Sequence, residues 1–193
     1  MFTGIITHIG TVSSKTKTGF VVKTAPDFLR KIENGTSVAV DGICLTVTNY
    51  RKNSFDVDVM PETVQRTNVQ YLHSGNLVNL ELPMTAQTFL SGHIVQGHID
   101  GVAILKEIVE QGNSRLLKFW ISPALAKYIV EKGSITVNGI SLTVIKAEKN
   151  YFTVGIIPHT WNKTMLYTIK VGATVNIELD ILAKYIKKLI KKE

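Results

Sequence analysis

The chain has 193 residues, of which 45% are hydrophobic and 19% are charged, a composition that supplies a packed core and argues against disorder. Its net charge of +7 is the excess of 22 basic over 15 acidic residues, and a single cysteine excludes an internal disulfide and a multi-cysteine zinc site. It has no apolar run of about 18 residues, as a transmembrane span requires, and no signal-peptide pattern at its start. We therefore expect a cytoplasmic protein of one large or two small domains.

The first half of the chain has the pattern of short β-strands. Gly4 falls in the first predicted strand, where glycine often marks the close approach of a ligand or another backbone segment. A short helix is predicted from Pro26 to Gly35. Asp41 and Gly42 then lie between alternating apolar residues and predict a type I′ hairpin, because both central residues of that turn need a positive φ.

The strand after this turn is predicted to have one buried and one polar face. Ile43 and Leu45 share the first face, and Cys44 and Thr46 share the second. A thiol beside a hydroxyl suits hydrogen bonding to a planar heterocycle. The alternative is that Cys44 is a small filler, since free cysteine often behaves as a buried hydrophobic residue.

The segment SGHIVQGHIDG at residues 91–101 joins the two halves of the chain. His93 and His98 are five positions apart, a spacing that fits neither ligands on one helical turn nor a phosphate-binding loop. In a strand they would lie on opposite faces, so the pattern does not favour a metal site. A contact between His98 and a substrate, or proton transfer by His98, stays open.

The second half repeats the first. Residues 26–82 align with residues 123–179 without a gap, and 21 of the 57 positions are identical. Ser122 is expected to cap the repeated helix, and Asn138 stands where the first copy has Asp41. A duplicated unit of six short antiparallel strands predicts an all-β fold of two tandem Greek-key barrels.

Two differences between the copies bear on chemistry. Ser141 occupies the position of Cys44, and Asp180 follows the last strand where the first copy has Pro83. The carboxylate of Asp180 could orient Ser141 or exchange protons with a substrate. Alternatively, it could cap the helix that follows.

From Ile181 onward, apolar residues recur at helical spacing with lysines between them. An amphipathic helix of about three turns is too short to be stable alone, so it should pack on the barrels or on copies of itself. Five of the last ten residues are lysines. They favour a solvated helical face, although a basic balance can also indicate nucleic acid or a membrane.

Several motifs in order resemble the riboflavin synthase family of the alpha-chain type. They are MFTGII, the paired GICLTV and GISLTV, VMPETV matched by IIPHTW, the GHI and GHIDG of the junction, and VNIELD. The resemblance implies an N-terminal lumazine-binding barrel at residues 1–92, a C-terminal one at 93–180, and a helix at 181–193 that gathers three chains into a homotrimer. It implies no metal or organic cofactor.

The resemblance also implies a reaction. Two molecules of 6,7-dimethyl-8-ribityllumazine dismutate to riboflavin and 5-amino-6-ribitylamino-2,4-pyrimidinedione, through transfer of a four-carbon unit. The family's active site forms between the N-terminal barrel of one chain and the C-terminal barrel of its neighbour. Two identical substrates need two similar pockets, which the duplication supplies.

The resemblance assigns ligand contacts and chemistry by motif. In the N-terminal barrel the implied contacts are Gly4, Ile5, Ile6, Cys44, Leu45, Thr46, Asp58, Val59, Met60, Pro61, Glu62, Thr63, Gly97, His98 and Ile99. In the C-terminal barrel they are Lys132, Ser141, Leu142, Thr143, Gly155, Ile156, Ile157, Pro158, His159 and Thr160. The implied catalytic residues are Cys44, His98, Ser141, Thr143 and Asp180. Our hypothesis is that Ser141, held by Asp180, activates one lumazine while Cys44 and His98 position or protonate the other.

Two alternatives remain at the level of sequence. Asn138 and His159 depart from the family pattern, and relatives that only carry lumazine or flavin have lost polar catalytic positions. This chain keeps those positions, which favours the enzyme over a non-catalytic carrier. A small-barrel nucleic-acid binder is the second alternative, motivated by the positive charge and the strand count. An association with lumazine synthase is a further possible partnership.

Overall fold

The computed structural model describes residues 1–190 and contains two closed antiparallel barrels. The first barrel consists of β1 (His8–Lys15), β2 (Gly19–Lys23), β3 (Ser37–Val40), β4 (Ile43–Arg51), β5 (Ser54–Asp58) and β6 (Leu77–Glu81). The second consists of β7 (Gly101–Gln111), β8 (Ser114–Trp120), β9 (Ser134–Val137), β10 (Ile140–Ala147), β11 (Tyr151–Ile156) and β12 (Thr174–Leu179).

Both barrels have the same Greek-key order. In the first, the strands follow one another as β1-β2-β5-β4-β3-β6, and the second repeats this order with its corresponding strands. The expected all-β fold of two six-stranded barrels is therefore confirmed within the described residues. The predicted hairpin turns are confirmed as well, since Asp41 and Asn138 have φ of 47° and 45°, and the glycines after them have φ of 79° and 78°.

The helices are more numerous than predicted. Each barrel has a four-residue helix near its start, α1 (Pro26–Leu29) and α3 (Pro123–Ala126), and a six-residue helix after its fifth strand, α2 (Pro61–Arg66) and α4 (Pro158–Lys163). The sequence pattern predicted only the first kind. Ser122 does precede α3, but its side chain makes no capping hydrogen bond.

Each barrel encloses its own apolar core. Phe28 and Phe55 stack in the first core with their ring centroids 5.9 Å apart, and Phe119 and Phe152 stack in the second at 5.3 Å. The alternation predicted for β4 is observed, because Ile43 and Leu45 are buried while Cys44 lies at the surface of the barrel. Burial of one face thus fixes the register that presents Cys44 outward.

The barrels meet through backbone and amide groups of the two hairpins. The amide side chain of Asn79 donates to the carbonyl of Asn138 at 2.9 Å, and that of Asn176 donates to the carbonyl of Asp41 at 3.0 Å. Gly42 and Gly139 approach so closely that a Cβ built on Gly42 would lie 2.6 Å from the nitrogen of Gly139. The repeated hairpins therefore form the interface between the two barrels.

The C-terminal helix is α5 (Ile181–Ile190), and the remainder of the predicted 181–193 segment lies outside the described residues. Lys184 joins it to the second barrel, with its ammonium nitrogen 2.6 Å from a carboxylate oxygen of Asp100. The side chains of Leu182, Ile186 and Leu189 are 57–65% exposed. Within residues 1–190, no helix is both long and apolar enough to cross a membrane.

Candidate functional site

Two extended segments, one before each barrel, contact both barrels. We call residues 1–6 the N-terminal arm and residues 92–99 the junction arm. The arms pair with each other, because the Phe2 nitrogen donates to the Val95 carbonyl at 2.7 Å and the Val95 nitrogen donates back at 3.1 Å. Both side chains are buried, so this bridge holds the arms in one arrangement.

The junction arm lies along β4 of the first barrel. The Cys44 nitrogen donates to the Gly97 carbonyl at 2.9 Å, and Ile99 packs against the first core. Gly97 has a φ of 82°, and a Cβ built on it would lie 2.5 Å from the Cβ of Cys44. Only glycine fits this contact without displacing the arm.

The N-terminal arm lies along β10 of the second barrel, which corrects an expectation. We expected Gly4, Ile5 and Ile6 at the pocket of the first barrel. Instead, the Ser141 nitrogen donates to the Gly4 carbonyl at 2.8 Å, and Ile6 packs against the second core. The physical reason is that the arms cross. The N-terminal arm, which precedes the first barrel, packs on the second barrel, and the junction arm, which precedes the second barrel, packs on the first.

A cavity of about 270 Å³ opens beside Cys44. The predicted residues that line it are Cys44, Glu62, Thr63, Gly97, His98 and Ile99, and Ile43, Arg66 and Thr67 complete the lining. Arg66 was not predicted; its guanidinium Nε lies 3.0 Å from the Glu62 carboxylate, one helical turn away on α2. The structure thus brings six of the residues predicted for the first barrel together around one thiol.

Ser141 has a direct partner that the sequence pattern did not predict. The Nδ1 atom of His93 lies 2.8 Å from the Ser141 hydroxyl oxygen. Burial lowers the pKa of His93, while the negative charge of Asp180 acts in the opposite direction. The lowered pKa favours the neutral ring, and in the tautomer that carries its proton on Nε2, the Nδ1 atom can accept a hydrogen bond from the hydroxyl. The two histidines of the junction arm belong to different barrels, since His98 lines the Cys44 cavity.

Asp180 occupies the start of α5. Its carboxylate accepts a hydrogen bond from the Leu182 nitrogen at 2.9 Å, which is the geometry of a helix cap. The hypothesis that Asp180 holds Ser141 stays a prediction, and the hydrogen bond that the structure shows at the hydroxyl is the one with His93. The negative charge of Asp180 partly opposes the lowering of the pKa of His93 by burial.

The other predicted residues divide by the direction of their side chains. Leu45, Leu142 and Ile156 point into the barrel cores, so only their backbone atoms can face a ligand. Thr46 and Thr143 are exposed on the outer faces of β4 and β10.

The segments that lead into α2 and α4 contain most of the remaining predictions. Val59 and Pro61 line a second cavity of about 330 Å³ at the neighbouring end of the first barrel, and Asp58 accepts a hydrogen bond from the Thr18 hydroxyl. The residues exposed or half-exposed at these segments are Met60, Gly155, Ile157, Pro158, His159 and Thr160.

Lys132 adopts a strained backbone conformation. Its φ is 64°, whereas the equivalent residue of the first copy is Gly35 with a φ of 91°. A left-handed conformation costs a non-glycine residue about 1–3 kcal/mol and is often retained at functional sites. The strain at Lys132 supports its assignment as a contact residue, which stays a prediction together with the catalytic roles.

Comparison with known proteins identifies the family. The chain matches the family described as "Lumazine binding domain" twice, over residues 3–83 and 96–180. It is 46% identical to a riboflavin synthase of Actinobacillus pleuropneumoniae over 100% of this chain and 91% of that protein, and 43% identical to one of Bacillus subtilis over the same shares. The chain belongs to the riboflavin synthase family.

Membership of the riboflavin synthase family agrees with the likeness to solved structures. A structure of LumP complexed with 6,7-dimethyl-8-(1'-D-ribityl) lumazine aligns with a TM-score of 0.84 and 25% identity, covering 93% of this chain and 99% of that chain. LumP complexed with riboflavin aligns with a TM-score of 0.86 and 26% identity over the same shares. The same tandem barrel thus holds a lumazine or a flavin in LumP, while the relatives of higher identity are riboflavin synthases.

Proposed function

We propose that this protein is a riboflavin synthase that converts two molecules of 6,7-dimethyl-8-ribityllumazine to riboflavin and 5-amino-6-ribitylamino-2,4-pyrimidinedione. The observation that carries the proposal is identity of 38–46% along nearly the whole chain to riboflavin synthases of bacteria and yeasts. The duplication fits this chemistry, because two identical substrates need two similar pockets. No cofactor is part of the proposal.

In this proposal the two pockets handle identical substrates differently. Cys44 lies at the cavity of the first barrel, and we assign Ser141, at the equivalent position of the second barrel, to the other substrate. The neutral ring of His93 accepts a proton from Ser141, so that the hydroxyl can add to, or remove a proton from, one lumazine. Cys44 and His98 contact the other lumazine. Holding the two reactants in place can contribute about 7–11 kcal/mol to catalysis.

The substrates must also meet. We propose that the first barrel of one chain faces the second barrel of a neighbour, in a homotrimer assembled through α5. Support for this assembly comes from the exposed side chains of Leu182, Ile186 and Leu189, which form an apolar stripe at helical spacing. A cytoplasmic location is part of the same proposal, and the free thiol of Cys44 suits a reducing compartment. An association with lumazine synthase stays a prediction.

A direct assay tests the activity. Purified protein is incubated with 6,7-dimethyl-8-ribityllumazine, and riboflavin is followed by its absorbance and the pyrimidinedione by chromatography. We expect one molecule of each product for every two molecules of substrate consumed. Binding of the lumazine without product would contradict the enzyme and support a non-catalytic carrier.

The nucleic-acid alternative is tested separately, by titration with single-stranded DNA at physiological salt. The basic residues of α5 carry much of the charge that motivates it. We expect weak binding that is lost when residues 184–193 are removed. Tight binding that survives this truncation would favour the nucleic-acid function.

A further inference from the structure

We propose that two buried carboxylates, Glu178 and Glu81, are positioning residues that each hold the arm of the opposite barrel's pocket. Glu178 belongs to the last strand of the second barrel, yet the arm that it holds closes the Cys44 pocket of the first. Glu81 belongs to the last strand of the first barrel and holds the arm that lies on Ser141. The catalytic consequence of this inference rests on the proposed function, but the positioning itself does not.

Glu178 on β12 uses both carboxylate oxygens on the junction arm. Oε1 accepts from the Gln96 nitrogen at 2.7 Å, and Oε2 accepts from the Gly97 nitrogen at 2.9 Å. The carbonyl of the same Gly97 accepts from the Cys44 nitrogen. A continuous chain of hydrogen bonds therefore runs from the second barrel, through the arm, to Cys44.

Glu81 on β6 repeats this arrangement. Oε1 accepts from both the nitrogen and the hydroxyl of Thr3, each at 2.7 Å, and Oε2 accepts from the Gly4 nitrogen at 3.0 Å. The Gly4 carbonyl then accepts from the Ser141 nitrogen. The two networks are equivalent, because Glu81 and Glu178 occupy the same position in the repeat.

Burial of these carboxylates has a cost that the hydrogen bonds from the arms offset in part. Glu81 and Glu178 are 4% and 2% exposed. Burial raises the pKa of Glu178 to about 7 and raises that of Glu81, while the backbone donors of the arms act in the opposite direction. An ionised carboxylate accepts hydrogen bonds on both oxygens, whereas a glutamine presents an NH₂ group to one of the two backbone donors. Replacement by glutamine should therefore release part of the arm.

The alkylation rate of Cys44, the single cysteine of the chain, measures the release of the junction arm. In the wild-type protein Gly97 packs on Cys44, and the thiol is only partly exposed. In full-length E178Q we expect alkylation of Cys44 by iodoacetamide to accelerate about tenfold, as the loss of a hydrogen bond to a charged group allows. In E81Q, the matched change at the other arm, the rate should stay within about twofold of wild type.

A role in folding alone gives a different result. Such a role would lower the melting temperature in both variants and leave their alkylation rates equal after correction for stability. Equal acceleration in E178Q and E81Q, or none in E178Q, would overturn the assignment. Site-selective acceleration at similar melting temperatures would support it.

A second pair of variants keeps the inference testable if E178Q does not fold. Gly97→Ala introduces a Cβ against Cys44 and should open the same arm with Glu178 intact. Gly4→Ala is its counterpart at Ser141, with a φ of 77° and a Cβ 2.6 Å from that of Ser141. Faster alkylation only in Gly97→Ala supports crossed arms, and equal rates in the two variants contradict them.

Riboflavin formation distinguishes failure of the arm assignment from failure of the proposed function. If the alkylation rates behave as expected but wild-type protein forms no riboflavin, the arm assignment stands and the proposed function fails. If wild-type protein forms riboflavin and E178Q has normal alkylation and normal turnover, the function stands and the assignment fails. With both intact, each glutamine variant should lower turnover, since the reaction needs both pockets.

Discussion

Ser141 is the residue at which the proposed chemistry of the two barrels diverges. A hydroxyl held by a neutral histidine can exchange a proton, whereas the equivalent thiol of Cys44 faces an open cavity. His93 has no counterpart at the first pocket within the repeat, since it precedes the part of the second unit that aligns with the first. The difference between the copies therefore extends from one residue to its partner.

Removal of the hydroxyl should affect turnover more than binding. We expect Ser141→Ala to lower kcat about 100-fold, the smaller end of what a positioned proton-transfer group contributes. Riboflavin affinity, measured by fluorescence quenching, should change by less than about threefold. Ser134→Ala, on the adjacent strand β9, is the matched control and should keep normal kcat. Equal losses in kcat and affinity would contradict a role in proton transfer.

Asp180 allows its charge to be separated from its capping role. Asparagine caps a helix about as well as aspartate, so Asp180→Asn should leave α5 intact by circular dichroism. Because the charge of Asp180 raises the pKa of His93, its removal should lower that pKa further and shift the acid limb of the pH–rate profile to lower pH. An unchanged profile with normal turnover would show that Asp180 acts only as a cap.

Asp41 predicts a pH dependence of stability. Burial raises its pKa from 3.8 to about 7, and its Oδ2 atom has no hydrogen-bond partner among the described residues. The folded state therefore binds the proton more tightly than the unfolded state, and Asp41 costs stability as the pH rises from about 4 to about 7. At about 1.4 kcal/mol per pKa unit, this cost is at most about 4 kcal/mol.

The second copy supplies the substitution that removes this cost. Asn138 occupies the equivalent position, and its amide nitrogen lies 3.6 Å from the sulfur of Met165. We expect Asp41→Asn to raise the free energy of unfolding at pH 8 and to have little effect at pH 4, as measured by urea denaturation. The reciprocal Asn138→Asp should lower stability at pH 8. The same change in stability at both pH values would contradict the assignment.

At the scale of secondary-structure elements, α5 is amphipathic and rests on the second barrel through one face. The ion pair between Lys184 and Asp100 holds that face, and the Asp100 carboxylate also accepts from the Leu179 nitrogen at 2.8 Å. The exposed apolar face is available to other copies of the chain. The short helices α2 and α4 were not predicted, because each has only six residues, no side-chain cap and no buried residue to give a periodic pattern.

The exposed face of α5 should control oligomerisation. We expect the double variant Leu182→Ser, Leu189→Ser to dissociate the proposed trimer, because it removes apolar surface that is 59% and 65% exposed in the single chain. Sedimentation velocity measures the outcome. Lys188→Ser is the control on the same helix and should remain trimeric. A double variant that still sediments as a trimer would show that the assembly uses another surface.

At the scale of the whole molecule, the two barrels are joined by a closely packed, hydrogen-bonded interface. Asn68 and Met165 donate their backbone nitrogens to Asn176 and Asn79 of the opposite barrel, each at 2.7 Å. Gly42 and Gly139 meet backbone to backbone at its centre. Such an interface tolerates little added volume, because buried groups are closely packed and hydrogen-bonded.

Substitutions at two glycines distinguish the cost of backbone strain from the cost of crowding at this contact. Gly75 has a φ of 93° and nothing within 4 Å of a built Cβ, whereas Gly42 has a φ of 79° and the backbone of Gly139 at 2.6 Å. We expect Gly75→Ala to cost about 1–3 kcal/mol from strain alone. Gly42→Ala should cost a further 1–3 kcal/mol or so from overpacking. Equal losses in the free energy of unfolding, measured by urea denaturation, would contradict a further cost from the contact between Gly42 and Gly139.

Local rules account for what the sequence determined. Alternation of apolar residues placed Ile43 and Leu45 inside and Cys44 outside. The glycines that follow Asp41 and Asn138 marked the hairpins, and the ungapped repeat implied two equal barrels. These features depend on neighbours along the chain, so periodicity and turn chemistry are sufficient to find them. The motifs also indicated the family.

The tertiary structure decided what depends on contacts between distant segments. The crossing of the arms placed Gly4 on Ser141 and Gly97 on Cys44, and it moved residues 4–6 from the expected pocket to the other one. It also made His93 the partner of Ser141 and left Asp180 to cap α5. Two equivalent barrels offer each arm two similar surfaces. Long-range contacts, among them the hydrogen bonds to Glu81 and Glu178, hold each arm in its place, and no local pattern encodes them.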